Sequence, residues 1–183
     1  MKTLFFLLTF ISPFFLCSEE VHIACSSPIE ITRQDVISVY EDFSYVEQLL
    51  VGLAIQKGDE KWEAKIKSSL DELSTIEKSE NPDVDLWFEK NYAFHLAIVE
   101  GCNSSSLIEL RNELYLKLKQ FTAECKSFSE MQFKTAKDPL IFNNEEHVAI
   151  SKAIFVRDEI KAKELVHAHI LGHCDEMLEL LHL

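Results

Sequence analysis

The sequence predicts an all-α protein, an antiparallel bundle of six or seven helices. Three observations carry that expectation. Apolar residues recur at three- and four-residue spacing through most of the chain after residue 30. Only four Gly and four Pro occur in 183 residues, too few to punctuate a series of short strands. No stretch alternates apolar with polar residues in the manner of a half-buried strand. A hydrophobic share of 47% beside 27% charged residues is ordinary for a globular domain, and the length suffices for one substantial core.

Each element follows from local pattern. Thr32 is placed as an N-cap with Asp35 three residues on, and Val36, Val39, Tyr40, Phe43, Val46, Leu50, Leu53 and Ala54 follow at helical spacing until Gly58. A second helix begins near Asp59, carries Trp62, Ile66, Leu70, Leu73 and Ile76 on one face, and is broken at Pro82. The third runs from about Val84 to Gly101, where glycine suits a C-terminal cap. "NSSS" offers caps for a fourth helix with Leu107, Leu110, Leu114, Leu118 and Phe121 on its apolar face, extending toward Cys125. "KTAKDPLIFNN" reads as the longest loop. Asn143 or Asn144 then caps a fifth helix through "EEHVAISKAIF", and "RDEIKAKELVHAHILGHCDEMLELL" forms the last.

Charge and cysteine usage exclude some functions. A formal net charge of −13 repels phosphate backbones, so the chain is not expected to bind DNA by itself. Cys17, Cys25, Cys102, Cys125 and Cys174 are odd in number and form no C-x-x-C pair, which points to buried reduced thiols rather than a disulfide framework or zinc knuckle. That favours a cytoplasmic protein. The start, "MKTLFFLLTFISPFFLC", has instead the layout of a signal peptide or membrane anchor over residues 1–17, although no small-residue cleavage site follows it. Residues 1–29 are accordingly set apart as an apolar segment and connector, and residues 30–183 as the helical domain.

Polar residues on apolar helix faces mark the candidate site. Asn91 and His95 are four apart within "KNYAFHLAIVEGCNSSSLIEL" and so share one side of the third helix. His147 opens the fifth helix beside Glu145 and Glu146, and His169 lies in the sixth one turn before His173. An antiparallel return could bring His147 and His169 to one depth. Neutral imidazole is a common ligand of divalent metals, an amide oxygen is a weaker one, and facing helices can make such groups converge. By spacing alone, a histidine taken singly is more often a surface residue or a hydrogen-bonded core residue than a ligand, and His167 and His182 are left at that.

The order of "NYAFHLAIVEGCNSSSLIEL" and "EEHVAISKAIFVRDEIKAKELVHAHI" resembles the C-terminal effector-binding domain, FCD, of FadR-subfamily GntR-type transcriptional regulators. In that pattern an Asp or Asn precedes a Phe-His pair by one turn, an Asn follows, then a Glu-His pair, and finally a His in the last helix. Here these are Asn91, Phe94 with His95, Asn103, Glu146 with His147, and His169. The resemblance covers about residues 30 to 180. It implies a helical bundle holding a divalent ion, Zn, Ni or Mn, at Asn91, His95, His147 and His169, with positions left open for a small carboxylate effector. It implies no catalytic residues.

Two residues depart from the family pattern. Asn91 stands where Asp is usual and removes a negative charge, and Phe43 stands where the family carries an Arg that can face an acidic effector. Residues 1–29 also hold no winged helix-turn-helix, so the expectation is a truncated regulator without DNA binding of its own, forming a homodimer or a heterodimer with a full-length relative that would supply the DNA-reading half. A secreted or membrane-tethered binding module and a metal-dependent hydrolase are the rival readings. The hydrolase reading is weakened because Glu146 is the one carboxylate that the sequence puts beside a ligand.

Overall fold

The computed structural model describes residues 31–80, 83–124 and 144–183. Expectations for residues 1–29, for the break at Pro82, for the extension of the fourth helix to Cys125, for nearly all of the "KTAKDPLIFNN" loop and for Asn143 lie outside the described residues. Six helices are present among them: α1 Arg33–Lys57, α2 Glu60–Glu77, α3 Val84–Glu100, α4 Ser105–Glu124, α5 Asn144–Phe155 and α6 Glu159–Leu180. None is long and apolar enough to cross a membrane. The all-helical class and the helix starts match the sequence expectation.

Local chemistry fixes the helix ends. Thr32 and Asp35 form the expected capping box, with Asp35 N–H donating to Thr32 Oγ1 at 3.2 Å and Thr32 N–H donating to Asp35 Oδ2 at 2.9 Å. Asp59, Asp83 and Asp158 cap α2, α3 and α6, each accepting a backbone N–H three residues on. Gly101 ends α3 with right-handed dihedrals, so its role is not to supply positive φ; Asn103 does that, at 53°. Glycine is needed at 101 for space, since a Cβ there would lie 2.6 Å from Trp62 Cε2 and Nε1. Gly58, at the end of α1, presses on the same indole.

Paired residues reveal how the helices run. Along α1 and α6, Arg33 reaches the Leu183 carbonyl, Ser44 meets His167, and Gln56 donates to Glu159, so the two are antiparallel. Lys65 with Glu100 and Glu72 with Lys90 show the same for α2 and α3. Phe43 with Tyr115 and Glu47 with Arg111 do so for α1 and α4. Ser74 with Asn144 at one end and Glu63 with Arg157, just past α5, at the other show that α5 is antiparallel to α2 as well. That antiparallel placement brings the start of α5 to the end of α2, and the site forms there.

The core joins Val36, Leu50, Val51 and Ala54 of α1 to Ile66 and Leu73 of α2, Phe94 and Ile98 of α3, Ile150 and Ile154 of α5, and Val166 of α6. Each large apolar side chain so buried contributes roughly 1.5–3 kcal/mol. Cys102 and Cys174 are buried free thiols, as expected of core cysteines. On α4 the sequence reading needs one correction. Leu110 is exposed, and Arg111 takes the inward position between Leu107 and Leu114, because the Arg charge is matched inside the bundle by Glu47 of α1.

Candidate metal centre

Three helices deliver three imidazoles to one point. His95 comes from α3, His147 from α5 and His169 from α6, and their ligand-capable nitrogens all lie within 4.8 Å of one another. The ring centroids are 5.0–5.4 Å apart. His95 Nε2 and His169 Nε2 are 3.2 Å apart. Two nitrogens bound to one ion at about 2.0–2.1 Å would be separated by roughly 3 Å at a right angle and about 3.4 Å at a tetrahedral angle, so the observed spacing fits shared coordination. Asn91 is one turn before His95, with its Oδ1 buried and without a hydrogen-bond partner.

Two of these rings, His95 and His169, are held in their ligand form by burial. Burial pushes the His95 imidazolium well below its usual range, and the neighbouring His169, His147, Arg111 and His173 push it the same way. His169 falls to about 4, mainly through burial, with Glu146 partly opposing the shift. Neutral imidazole is the form that binds a cation, and a preformed cluster of it avoids competition from protons at neutral pH.

Two carboxylates stand behind two of the rings. Glu146 Oε2 is 2.6 Å from His169 Nδ1, and Glu77 Oε1 is 3.3 Å from His147 Nδ1. Both leave the Nε2 edge of their histidine free to face the cluster. His173 stacks edge-on against His169 at 4.6 Å but pairs with Glu176 and is not one of the three clustered ligands. His167 bonds Ser44 and Gln48 in the α1–α6 seam, away from this chemistry.

Beside the histidines lies a buried cation that the sequence reading missed. Arg111 donates from Nε to Glu47 Oε1 at 2.6 Å, and its guanidinium lies 5.2–5.6 Å from the ring centres of Phe43, Tyr92 and Tyr115. Phe43, which replaces the expected α1 arginine, therefore forms part of the box that holds an arginine from α4. Burial raises the Glu47 carboxyl and Arg111 opposes that rise. A clue existed in the sequence: Glu47 and Arg111 interrupt the apolar stripes 43–50 and 107–114, as Glu77 continues the stripe of Ile66 and Leu73.

An FCD domain family model matches residues 39–172, most of the chain. This chain belongs to the FCD family. Among curated relatives, the HTH-type transcriptional repressor GlaR of Escherichia coli (strain K12) is 28% identical over 142 residues, covering 76% of this chain and 63% of that protein. The uncharacterized HTH-type transcriptional regulator BphR of Paraburkholderia xenovorans (strain LB400) is 26% identical over 121 residues, covering 64% of this chain and 46% of BphR. The FCD chain thus spans roughly half to three-fifths of these relatives. Its fold is similar to that of E. coli McbR/YncC, with a TM-score of 0.70 at 15% identity over 82% of this chain and 67% of that one. It also resembles the metal-free FCD domain of TM0439, with a TM-score of 0.64 at 14% identity over 84% of this chain and 98% of that one. The named relatives are transcriptional regulators rather than enzymes.

Proposed function

We propose that this FCD domain is the sensing part of a GntR-type transcriptional regulator, binding a divalent ion at Asn91, His95, His147 and His169 and, through it, a small carboxylate. The observation that carries the reading is the convergence of three buried imidazoles from three helices, with Asn91 Oδ1 and both His147 ring nitrogens lacking any hydrogen-bond partner. Buried polar atoms without partners are rare in native proteins, and a missing ion is among their common explanations. Zn, Ni and Mn all suit such a donor set. A bound ion would supply Lewis-acid positions for an oxygen ligand beyond those the four side chains occupy.

The chain's own residues do the rest. Arg111 acts electrostatically on His95, and its positive charge favours an anion near the cluster. Glu47 already engages that guanidinium, so an incoming carboxylate would compete with it or share it. Glu47 lies on α1 and Arg111 on α4, so such an exchange would bias the packing of those helices. In a regulator this is the route by which ligand binding shifts the population of DNA-reading arrangements. With a net charge of −13, this chain's contribution would be sensing rather than gripping DNA.

Elemental analysis of purified protein beside a His147→Ala, His169→Ala variant tests the reading. About one equivalent of metal is expected in the wild type and little in the variant. Equal content in both would overturn it.

A further inference from the structure

The proposed donor set is electrically neutral. Asn91 and three neutral imidazoles bring no negative charge to a dication held away from water, where an unbalanced charge is costly. Two carboxylates are close enough to balance it, but they differ in setting. The Glu146 side chain is 47% exposed, so solvent screens much of its charge. The Glu77 side chain is 1% exposed, and the His147 side chain beside it is also 1% exposed.

Glu77 has no other evident purpose among the described residues. Its Oε1 accepts one neutral hydrogen bond, from Trp87 Nε1 at 3.0 Å, and its Oε2 has no partner. A carboxylate buried with so little support weakens a fold rather than strengthening it. His147 shows the complementary deficit, with both ring nitrogens unpartnered and Nδ1 only 3.3 Å from Glu77 Oε1. Metal-binding histidines nearly always donate their second ring N–H to a carboxylate, a carbonyl or water, and Glu146 is already placed that way on His169.

We infer that Glu77 is the positioning residue for His147: it takes the Nδ1–H, directs Nε2 at the ion, and supplies the buried negative charge that Asn91 lacks. This rests on the metal-binding reading above. It assigns α2 a part in the site although α2 provides no ligand. The negative charge that an Asp at 91 would place on the ion is thereby moved one shell outward, to a different helix.

The test measures Zn²⁺ and Ni²⁺ affinity of the full chain by competition with a chromophoric chelator, alongside thermal melts of the chelator-treated protein. Glu77→Gln should weaken metal binding by roughly 10–100-fold while leaving one binding site per chain. The metal-free melting temperature of Glu77→Gln should equal or exceed that of wild type, since an unsupported charge is removed. Those opposite signs separate a metal-directed role from a structural one; a fall in both quantities would overturn the assignment. Asn91→Asp should restore most of the lost affinity in the Glu77→Gln background and add less to the wild type. Wild-type affinity in Glu77→Gln, or no rescue by Asn91→Asp, would overturn the role of Glu77 and leave the metal site standing. Absence of binding by the wild type would overturn the metal-binding reading itself, and this inference with it.

Discussion

Two polar clusters inside this bundle are built to opposite standards. Around Trp62, where α1 turns into α2 and α3 into α4, the polar groups are satisfied. The indole N–H is shared between the Ala97 and Ile98 carbonyls at 3.0 and 2.9 Å. Arg157 lies over the ring, donates to the Ile55 and Gly58 carbonyls at the end of α1, and pairs with Glu63. Around His147, the partners are missing. Glu77 Oε2, Asn91 Oδ1, both His147 nitrogens and Ser151 Oγ are buried and unpaired, and Ser151 is one turn beyond His147 on α5. The first cluster is complete as protein, whereas the second leaves buried polar atoms unpaired, as the proposed ion site requires. Stability and function are thus recognisable by whether the hydrogen-bond accounts close.

Perturbing each region should separate these standards. The largest effect is expected beside the histidines, at the Glu47–Arg111 pair, which is almost wholly buried. Glu47→Leu leaves a buried guanidinium unmatched and should cost about 3–5 kcal/mol in urea unfolding. Glu47→Leu with Arg111→Leu should recover most of that loss. Equal destabilisation in the single and double variants would show that packing, not charge, dominates there.

Metal addition comes next. At a free concentration near 1,000 times the dissociation constant, binding only to the folded state stabilises by about 4 kcal/mol. Thermal melts with and without Zn²⁺ should show this in the wild type and not in His147→Ala, His169→Ala. A metal-independent melting temperature in the wild type would place the His cluster with the Trp62 clamp, as mere structure.

Acid should weaken the metal-free protein through the same cluster. His169 titrates near 4 when folded against 6.5 ordinarily, so between those values the unfolded chain binds a proton that the folded chain refuses. The stability present in full above pH 6.5 is therefore lost as pH falls toward 4, at about 1.4 kcal/mol per pH unit for each such imidazole. His95 shifts in the same direction. Urea midpoints of chelator-treated protein at pH 7 and pH 5 check this, and an unchanged midpoint would contradict it.

The smallest expected effect belongs to the satisfied region. Gly101→Ala forces a methyl against the Trp62 ring and should cost about 1–3 kcal/mol by overpacking. Metal affinity measured on the same variant should stay at the wild-type value. A parallel loss of affinity would show that the two clusters are coupled through α2 and α3, which both of them use.

The residues that were legible in the sequence share one property: their chemistry is local. Thr32 with Asp35 and the helix start at Asp59 depend on neighbours three residues away, and the apolar stripes depend on helical periodicity. Asn91 and His95 belong together for the same reason, being one turn apart. His147 and His169 could be linked to them only through family resemblance, because spacing along the chain says nothing about axial register between helices. Glu77, Glu47 and Arg111 escaped notice for that reason. Each interrupts or ends an apolar stripe, but its partner is on another helix, 64 residues away in the case of Glu47 and Arg111.

The sequence by itself therefore determined the helices, their ends, their buried faces and the family to which they belong. Tertiary structure alone decided that the start of α5 packs on the end of α2, that Arg111 rather than Leu110 faces inward, and that a buried carboxylate stands behind His147. Helix formation is a contest among residues within a turn or two. Which charge meets which ring is settled only when packing fixes the height of one helix against another, and burial then gives that meeting its energy.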